Sequence, residues 1–303
     1  MSVLTRIYLL VVGIASIAGE FSAFYPPIDI LNYFRPWLLL ASIPALILFL
    51  SRQASQTSRI AGLLIATVNL AYFFYPVLSN PAGPQDLEKT KPLKIISFNV
   101  WHLNTSLQRV ADFLQKEEAD VVLLQEMPSQ NLKSLRRYLG NAYPFIHTCD
   151  CRNMVLLSRY PWEVAGGGRL TWAKPATIWA RLTKPGRGSY RIVGVHTATP
   201  FYPEMHTNHT QWLATKLPRD ERLIVAGDFN ATPWSNRLIS MTTKLELQRS
   251  ATFQHTWPSH FLMPLFLIDN VFVSQTIKIN HTRIGPDLGS DHRPVIVDLG
   301  MTG

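Results

Sequence analysis

The first 80 residues contain only six charged side chains, and this scarcity of charge limits what the chain can fold into more than any other feature. They carry four Arg and two acids, a net charge of +2, which leaves +7 of the total +9 for residues 81–303. Three apolar runs fill this part, at roughly Ile7–Gly19, Pro36–Leu50 and Ile60–Leu78. A membrane span needs about 20 mostly apolar residues. We therefore expect three transmembrane helices in residues 1–80.

These runs have two alternative interpretations. The third run is long enough by itself, whereas the first two need flanking aromatic residues, such as Tyr8 and Trp37, as anchors at the membrane surface. A cleavable signal peptide is the alternative for the first run, but only one Arg precedes it and no Ala-x-Ala cleavage site follows it. Buried core helices of a soluble domain are the alternative for all three.

Basic residues in short loops predict the orientation of the spans, because cytoplasmic loops carry an excess of Lys and Arg. Loop 51–59 contains Arg52 and Arg59 and no acid, so we expect it in the cytoplasm. Three spans then give a multi-pass membrane protein with the remaining chain on the outer side, and two spans would reverse this. Residues 81–93, rich in Pro, Gly and charge, are predicted to be a linker.

Seven short runs rich in Val and Ile recur from residue 94 onward, and turn-forming residues separate them. They read KIISFNV, ADVVLLQE, MVLLSRY, YRIVGVH, RLIVAGDFN, IDNVFVS and PVIVDL. Between them, the spacing of apolar residues predicts helices at Thr105–Glu118, with Ser106 as a cap, at Asn208–Leu217 and at Trp234–Thr243. Strands covered by helices on their outer faces indicate a layered α/β sandwich.

Polar residues stand at the ends of these runs. They are Asn99, Gln125, Glu126, His196, Asp228, Asn230, Asp269, Asn270, Asp291 and His292. In an antiparallel pair, the end of one strand lies beside the start of its neighbour. We therefore expect these side chains to meet at one rim of the sheets and to form a composite site.

The order of five fragments resembles the motif series of the endonuclease/exonuclease/phosphatase superfamily, which includes the DNase I-like nucleases. The fragments are SFN, LLQE, GDFNATP, IDNVFVS and GSDHRPVIVDL. The resemblance covers roughly residues 93–300. It implies a four-layered α/β sandwich (DNase I-like) for residues 94–303, preceded by the N-terminal transmembrane helices, and it implies hydrolysis of phosphoesters. The whole layout is similar to that of bacterial membrane-anchored members.

The resemblance also implies a divalent-metal site. The ligands would be Glu126, Asn99 and Asp291, and the expected ion is Mg²⁺, with Mn²⁺ as a substitute. Such hard cations prefer oxygen ligands and often use only one or two carboxylates. The metal would act as a Lewis acid on the phosphoryl oxygen.

The same resemblance implies the catalytic groups, which are His292, Asp269, Asp228, Asn230 and His196. His292 and Asp269 match the family's His–Asp pair, in which the carboxylate fixes the tautomer of the imidazole. The proton of the attacking water would go to His292 or to Asp228, and the sequence leaves this open. Asp228 and Asn230 would orient the water and the phosphorus. His196 would donate a hydrogen bond to a phosphate oxygen or to the leaving group.

Four further residues carry weaker expectations. Asn153 matches a polar position near the phosphate in the segment NMVLLSRYP, and Arg181 either clamps phosphate or is an ordinary exposed strand residue. His206 and His209, three residues apart, are predicted to lie on the solvated start of a helix.

The chain has two cysteines, Cys149 and Cys151, separated by one residue. A bridge across one residue is geometrically demanding, although an oxidising compartment would permit it. A lone Cys-x-Cys supplies only two of the four ligands that zinc requires. We therefore expect two thiols in a loop.

The +7 charge after residue 80 suits a polyanionic phosphodiester substrate, either nucleic acid or phospholipid beside the lipid bilayer. No protein partner is inferable. The fragment FLMPLFL, from Phe261 to Leu267, is an apolar wedge for lipid if exposed, or a buried strand leading into the next motif. We expect a phosphodiesterase, with nuclease and headgroup hydrolase both open. The alternative is a catalytically silent membrane sensor or binding module, which predicts a missing ligand or base.

Overall fold

The computed structural model describes residues 3–78, 92–149, 151–185, 188–219, 222–250, 255–261 and 265–301. They form two compact units. One unit takes in the described part of Met1–Pro81 together with Thr232–Ile239, and the other takes in the rest of the described chain. The predicted linker, residues 81–93, lies almost entirely outside the described residues.

The first unit is helical. Its helices are α1 (Val3–Ala18), α2 (Ile30–Tyr33), α3 (Arg35–Ala41), α4 (Ile43–Leu50) and α5 (Gln56–Leu78), with 3₁₀ turns at Gly19–Ala23 and Pro26–Asp29. Within the described part of the chain, Val3–Ala23 and Gln56–Pro76 are long and apolar enough to cross a membrane. A pair bent by 62°, Pro26–Tyr33 with Arg35–Leu50, makes a third span if it counts as one. The prediction of three spans therefore stays a prediction.

A buried polar cluster holds this unit together. The guanidinium of Arg35 pairs with Glu20 at 2.8 Å, and the carboxylate of Asp29 is fully buried. The Ser235 hydroxyl donates to Asp29 at 2.6 Å, and the Asn236 backbone N–H donates to the same carboxylate at 3.0 Å. Buried charges are tolerated when they are paired and hydrogen-bonded, and these bonds explain why residues 232–239 belong to the helical unit.

The second unit contains two six-stranded sheets. Its strands are β1 (Leu93–Asn99), β2 (Val121–Gln125), β3 (Phe145–Thr148), β4 (Val155–Ser158), β5 (Trp162–Gly168), β6 (Ala176–Lys184), β7 (Gly188–His196), β8 (Leu223–Asp228), β9 (Leu247–Arg249), β10 (Asp269–Ser274), β11 (Ile277–Ile284) and β12 (Val295–Met301). The strand orders are β11-β12-β1-β2-β4-β3 and β5-β6-β7-β8-β10-β9. The remaining helices are α6 (Leu107–Glu117), α7 (Ser129–Leu139), α8 (Pro203–Lys216) and α9 (Asn236–Lys244), and the first residues of α9 belong to the helical unit.

The central core lies between the two sheets. Residues alternate across a strand, so successive side chains point to opposite faces. In β1, Ile95 joins the cluster shared with the second sheet, whereas Ile96 joins a cluster formed with α6 and α7. Leu123 and Leu124 of β2 divide in the same way. This layering is that of the DNase I-like α/β sandwich, and the predicted fold class is confirmed.

The seven apolar runs all form strands, but the sequence did not predict β3, β5, β6, β9 and β11, nor helix α7. Helix α6 begins at Leu107, inside the predicted range, and the side chain of Ser106 makes no capping bond. One assumption was wrong: β1 pairs with β2, and β7 with β8, in parallel. Helices α6 and α8 form the crossovers that parallel pairing requires.

The strand register brings the polar strand ends to one edge of each sheet. In the first sheet, Asn99 at the end of β1 lies opposite Gln125 at the end of β2. In the second sheet, Asp228 at the end of β8 lies between His196 and Asp269. Each parallel pair places the last residues of two strands side by side, and the antiparallel partner β10 adds its first residue, Asp269. The polar residues therefore converge as expected from the sequence, although the strand pairing differs from the expected one.

Gly227 provides a test of this register. Its φ is +151°, and a Cβ built there would overlap the backbone of Val195 in the neighbouring strand β7. We expect Gly227→Ala to lower the free energy of unfolding by about 3 kcal/mol, because the parallel pair must separate to admit the methyl group. Urea unfolding of the detergent-solubilised protein measures this.

Gly168 in β5 is the matched control for this change. Its Cβ would meet only the hydroxyl of Thr177, at 3.1 Å. We expect Gly168→Ala to change stability by less than about 1 kcal/mol. Equal effects of the two substitutions would contradict the tight β7–β8 approach.

Candidate active site

Asn99 links the polar edges of the two sheets. Its side-chain N–H groups lie 3.3 Å from Glu126 Oε1 and 3.1 Å from Asp228 Oδ2. Its Oδ1 accepts the backbone N–H of Trp101 at 3.1 Å, which fixes the direction of the amide. Since Glu126 follows β2 of the first sheet and Asp228 ends β8 of the second, one amide holds together carboxylates from both sheets.

His292 and Asp269 form a buried pair. His292 Nδ1 lies 2.8 Å from Asp269 Oδ2, and the other ring nitrogen lies 3.8 Å from Asp228 Oδ2. The Ser290 hydroxyl positions this segment, because it donates to the Asn99 carbonyl at 2.7 Å and accepts the His292 N–H at 3.0 Å. Burial opposes the charged ring, but the carboxylates of Asp269 and Asp228 outweigh it and raise the pKa of His292 to about 10.

The pKa of the other histidine of the cluster, His196, shifts in the opposite direction. His196 Nε2 lies 3.6 Å from Asp228 Oδ2 and 3.8 Å from Glu126 Oε1. Burial lowers the pKa of His196 below its usual value, although these two carboxylates oppose the shift. The ring is therefore neutral at pH 7, whereas His292 is protonated while no metal is bound.

The pKa values of Asp228 and Glu126 also shift in opposite directions. Burial raises the pKa of Asp228, and the nearby carboxylate of Asp269 adds to this effect while His292 opposes it. Burial alone would also raise the pKa of Glu126, but hydrogen bonds from His102 and Asn99 bring it below its usual value. Glu126 is thus a stable anion, and Asp228 holds a proton more readily.

Two further predicted residues lie at the same edge. The Asn230 backbone N–H donates to Asp228 Oδ1 at 2.8 Å, and its amide donates to the Thr197 carbonyl at 3.2 Å. Asp291 Oδ2 accepts from the indole N–H of Trp257 at 3.2 Å. Asn230 is therefore held against Asp228, and Asp291, the residue before His292, is held by Trp257.

The cluster fits a divalent cation. Asp228, Asp269 and His292, a set different from the ligands Glu126, Asn99 and Asp291 predicted from the sequence, each offer a ligand atom, and these atoms lie within 4.8 Å of one another. Among the described residues, the buried oxygens Asp269 Oδ1 and Asp291 Oδ1 have no hydrogen-bond partner. Buried carboxylates need positive partners, and oxygen donors are those that Mg²⁺ and Mn²⁺ prefer.

His102 is a site residue that the sequence interpretation missed. Its Nδ1 lies 2.9 Å from Glu126 Oε2, and its ring is half exposed. The residue is three positions after Asn99, in the turn that follows β1, where φ of Trp101 is +64°. The only available signal was a histidine beside a predicted site residue, with no apolar pattern to orient it.

The prediction for His206 and His209 was wrong, because both rings are fully buried. His206 Nε2 donates to the carbonyl of Phe229 at 2.9 Å, and His209 Nδ1 accepts the N–H of Ala198 at 3.0 Å. Phe229 lies between two predicted catalytic residues, and Ala198 follows His196 closely. The two histidines therefore brace the backbone of the site, and buried polar groups of this kind are hydrogen-bonded.

The remaining predictions have different outcomes. Arg181 lies within β6 opposite Arg191, five residues from the strand end next to the cluster, and is not brought to the site. Asn153 is brought near it, because its carbonyl accepts the N–H of Met127, the residue after Glu126, at 2.7 Å.

The expectation of two free thiols was wrong. Cys149 and Cys151 are joined in a disulfide. Their Cα atoms lie 5.1 Å apart, within the range that a bridge can span.

Comparisons with known proteins agree with this geometry. The model of the Endonuclease/Exonuclease/phosphatase family matches residues 96–292. No curated protein matches the chain. A crystal structure of an endonuclease/exonuclease/phosphatase from Bacteroides vulgatus is similar, with a TM-score of 0.59 and 19% identity over 70% of this chain and all of that one.

Two other solved structures share the fold. One is the mannosyl-6-phosphatase Bt3783 of Bacteroides thetaiotaomicron, 16% identical over 69% of this chain and 100% of that one, with a TM-score of 0.57. The other is humanized D. rerio TDP2, 17% identical over 70% of this chain and 100% of that one, with a TM-score of 0.57. At these identities the likeness establishes the architecture of the second unit.

The raised pKa of His292 predicts how stability depends on pH without metal. A group whose pKa is higher in the folded state stabilises fully below its unfolded value, 6.5, and loses this effect as pH rises toward the folded value of about 10. In EDTA, we expect the stability difference between wild type and His292→Gln to shrink from pH 6.5 to pH 9.5. Urea unfolding across this range measures the difference, and a constant gap would contradict the assignment.

Proposed function

The chain belongs to the endonuclease/exonuclease/phosphatase family, and from this premise we propose that it is a membrane-anchored, metal-dependent phosphodiesterase. The family consists generally of phosphoester hydrolases. One observation carries the proposal: carboxylates and histidines from separate segments of both sheets meet at one edge of the sandwich, with neighbouring side-chain atoms 2.8 to 3.8 Å apart. A structural role does not require so many buried charges in one place, because each costs free energy to desolvate.

Glu126, Asn99 and Asp291 would hold Mg²⁺, or Mn²⁺ in its place. The support is the low pKa of Glu126 and the free oxygen of Asp291. For Asn99, ligation by its oxygen needs a rotation of the amide, since its N–H groups now face the carboxylates. When bound, the metal supplies Lewis-acid polarisation of a phosphoryl oxygen and charge for the leaving oxygen.

Asp228 is the better candidate for the general base. Its raised pKa gives it the greater affinity for the proton of an attacking water, and Oδ2 is the atom that receives it. His292, held by Asp269 through Nδ1, keeps its other nitrogen toward Asp228 and supplies positive charge for the phosphate. Of the two assignments left open by the sequence, this geometry favours Asp228 as the base and His292 as the cation.

His196 and Asn230 would orient the substrate. His196 is neutral at pH 7 and can donate one hydrogen bond from Nε2 to a phosphate oxygen or to the leaving group. Asn230 fixes Asp228 through its backbone N–H, which keeps the base directed at the cluster. Both residues thus act by alignment, and alignment of reacting groups lowers the barrier substantially.

A diester is the substrate that the charges support. Within the described residues, the cluster contains no Lys or Arg, so only the proposed metal and His292 could balance the second negative charge of a phosphomonoester. The +7 charge after residue 80 favours a polyanion, either nucleic acid or phospholipid headgroups. Apolar helices in the same chain favour an enzyme that works beside a bilayer.

Side-by-side hydrolysis assays test the proposed activity. Detergent-solubilised protein is incubated with plasmid DNA, RNA, labelled phospholipid and a phosphomonoester, with Mg²⁺, with Mn²⁺ or with EDTA. We expect hydrolysis of at least one diester, abolished by EDTA and reduced at least about 10³-fold by Glu126→Gln and by His292→Asn.

Glu118→Gln is the control for the loss of a carboxylate. Its side chain is 72% exposed, and the residue precedes β2 at the end opposite Glu126. This variant keeps wild-type activity in our proposal. Wild-type protein that folds but hydrolyses no probe with either metal would overturn the proposal.

The membrane topology is proposed to be three spans with the catalytic unit on the periplasmic side of a bacterial inner membrane. Protease added to intact spheroplasts is then expected to cleave the part of the chain after residue 80. Cleavage only after lysis would place that part in the cytoplasm and contradict the three-span arrangement.

A further inference from the structure

A basic groove lies beside the catalytic cluster, and none of the residues proposed for catalysis lines it. Its volume is about 670 Å³, and its walls come from helix α7, strand β3 and the segment from Arg152 to Val155. Met127, the residue after Glu126, forms one end. The groove therefore begins one residue from the proposed metal ligand.

Three cations line this groove. They are Lys133, Arg136 and Arg152, all exposed, and none of the described residues in the lining is acidic. Among the described residues, none of the three side chains forms an ion pair. Unpaired cations concentrated in one concave surface create a positive potential that attracts anions.

The cations on α7 share one face of the helix. Ser129, Lys133 and Arg136 are separated by four and then three residues, the spacing at which side chains are neighbours on a helix surface. At 1.5 Å per residue, the row extends over about 10 Å. A hydroxyl and two cations in a row of this length suit an extended anion better than a single compact ion.

Arg152 connects the groove with the catalytic cluster. Arg152 directly precedes Asn153, whose carbonyl accepts the N–H of Met127, the residue after Glu126. Its backbone has φ of +59°, and that of Asn153 has φ of +57°. Such conformations are strained for Arg and persist where surrounding structure enforces them; the hydrogen bond from Met127 to the Asn153 carbonyl does so here.

We propose that this groove binds a second phosphate group of the substrate, one that is not cleaved, while the scissile diester occupies the carboxylate–histidine cluster. The proposal rests on the proposed phosphodiesterase function and identifies its substrate class as molecules with at least two phosphates. Guanidinium and ammonium groups form charge-assisted hydrogen bonds with phosphate oxygens. The groove would position the substrate and contribute no proton transfer.

Binding without metal tests the groove independently of catalysis. In EDTA, the probes are a short phosphorothioate oligothymidylate and inositol trisphosphate, titrated against the full-length protein in detergent. We expect wild type to bind at least one probe and the double variant Lys133→Gln, Arg136→Gln to raise its Kd at least about tenfold. If the oligonucleotide binds, the magnitude of the slope of log K against log salt concentration falls by about 1.4 in the double variant, about 0.7 for each lost contact with a single strand.

Arg137→Gln is the matched control. Arg137 is exposed on the same helix, adjacent to Arg136, but does not line the groove. We expect it to leave Kd within about twofold of wild type. Equal weakening of probe binding by the control and the double variant would contradict the proposed groove. No weakening by the double variant, or no binding of either probe to wild type, would also contradict it.

Kinetics then separate this inference from the proposed function. With Mg²⁺, the ratio of kcat/KM for oligothymidylate to kcat/KM for bis(p-nitrophenyl) phosphate, which has one phosphate, is expected to fall about tenfold in the double variant. Wild type that binds a probe in EDTA but hydrolyses none of the diesters, including the DNA, RNA and phospholipid of the first assay, would refute the phosphodiesterase and leave the proposed phosphate groove intact. Hydrolysis of both substrates with an unchanged ratio of kcat/KM in the double variant would refute the role of the groove in substrate binding and leave the phosphodiesterase activity supported. A preference for oligothymidylate over inositol trisphosphate identifies a nucleic acid strand, and the reverse identifies a lipid headgroup.

Discussion

The hydrogen bonds from Asn99 to Glu126 and Asp228 are the interaction on which the rest of the site depends. They join a half-buried carboxylate of one sheet to a buried carboxylate of the other, so water screens the repulsion between the two only in part. The amide has this position because β1 ends beside β2 in parallel register, and because the turn after β1 returns a backbone N–H to Asn99 Oδ1. Without this link, the two sheet edges would carry mutually repelling charges.

The remaining charge balance comes from two histidines in different states. His292 has carboxylates on two sides, so its proton is held firmly, whereas His196 is desolvated more strongly than its neighbours can offset. The carboxylates divide in the same manner, since the pKa of Glu126 is lowered and that of Asp228 is raised. Pairs of groups whose environments push their pKa values apart are typical of acid–base sites. This asymmetry is the reason for assigning different tasks to residues of the same type.

The sequence predicted most of the strands that position this cluster, because buried strands are recognisable as apolar runs. The polar residues of the site stand at the ends of these runs. Asn99, Glu126, Asp228 and Asp269 were found in this way. His206 and His209 were misjudged, since their partners are backbone groups of Phe229 and Ala198, which only the folded chain brings near. Likewise, strand direction in β1–β2 and β7–β8 follows from crossover helices and not from the runs themselves. Short or half-exposed strands such as β3 and β5 lack the alternation of apolar and polar residues that would distinguish them from loops.

The central claim is that Glu126, Asn99 and Asp291 bind one divalent cation beside Asp228 and His292. Anomalous diffraction from crystals of the protein soaked in Mn²⁺ and inorganic phosphate tests it most directly. We expect one strong manganese peak in contact with Glu126, with phosphate density between the ion and His292. A manganese peak remote from Glu126, or an ordered site with phosphate but no ion at saturating Mn²⁺, would contradict the account.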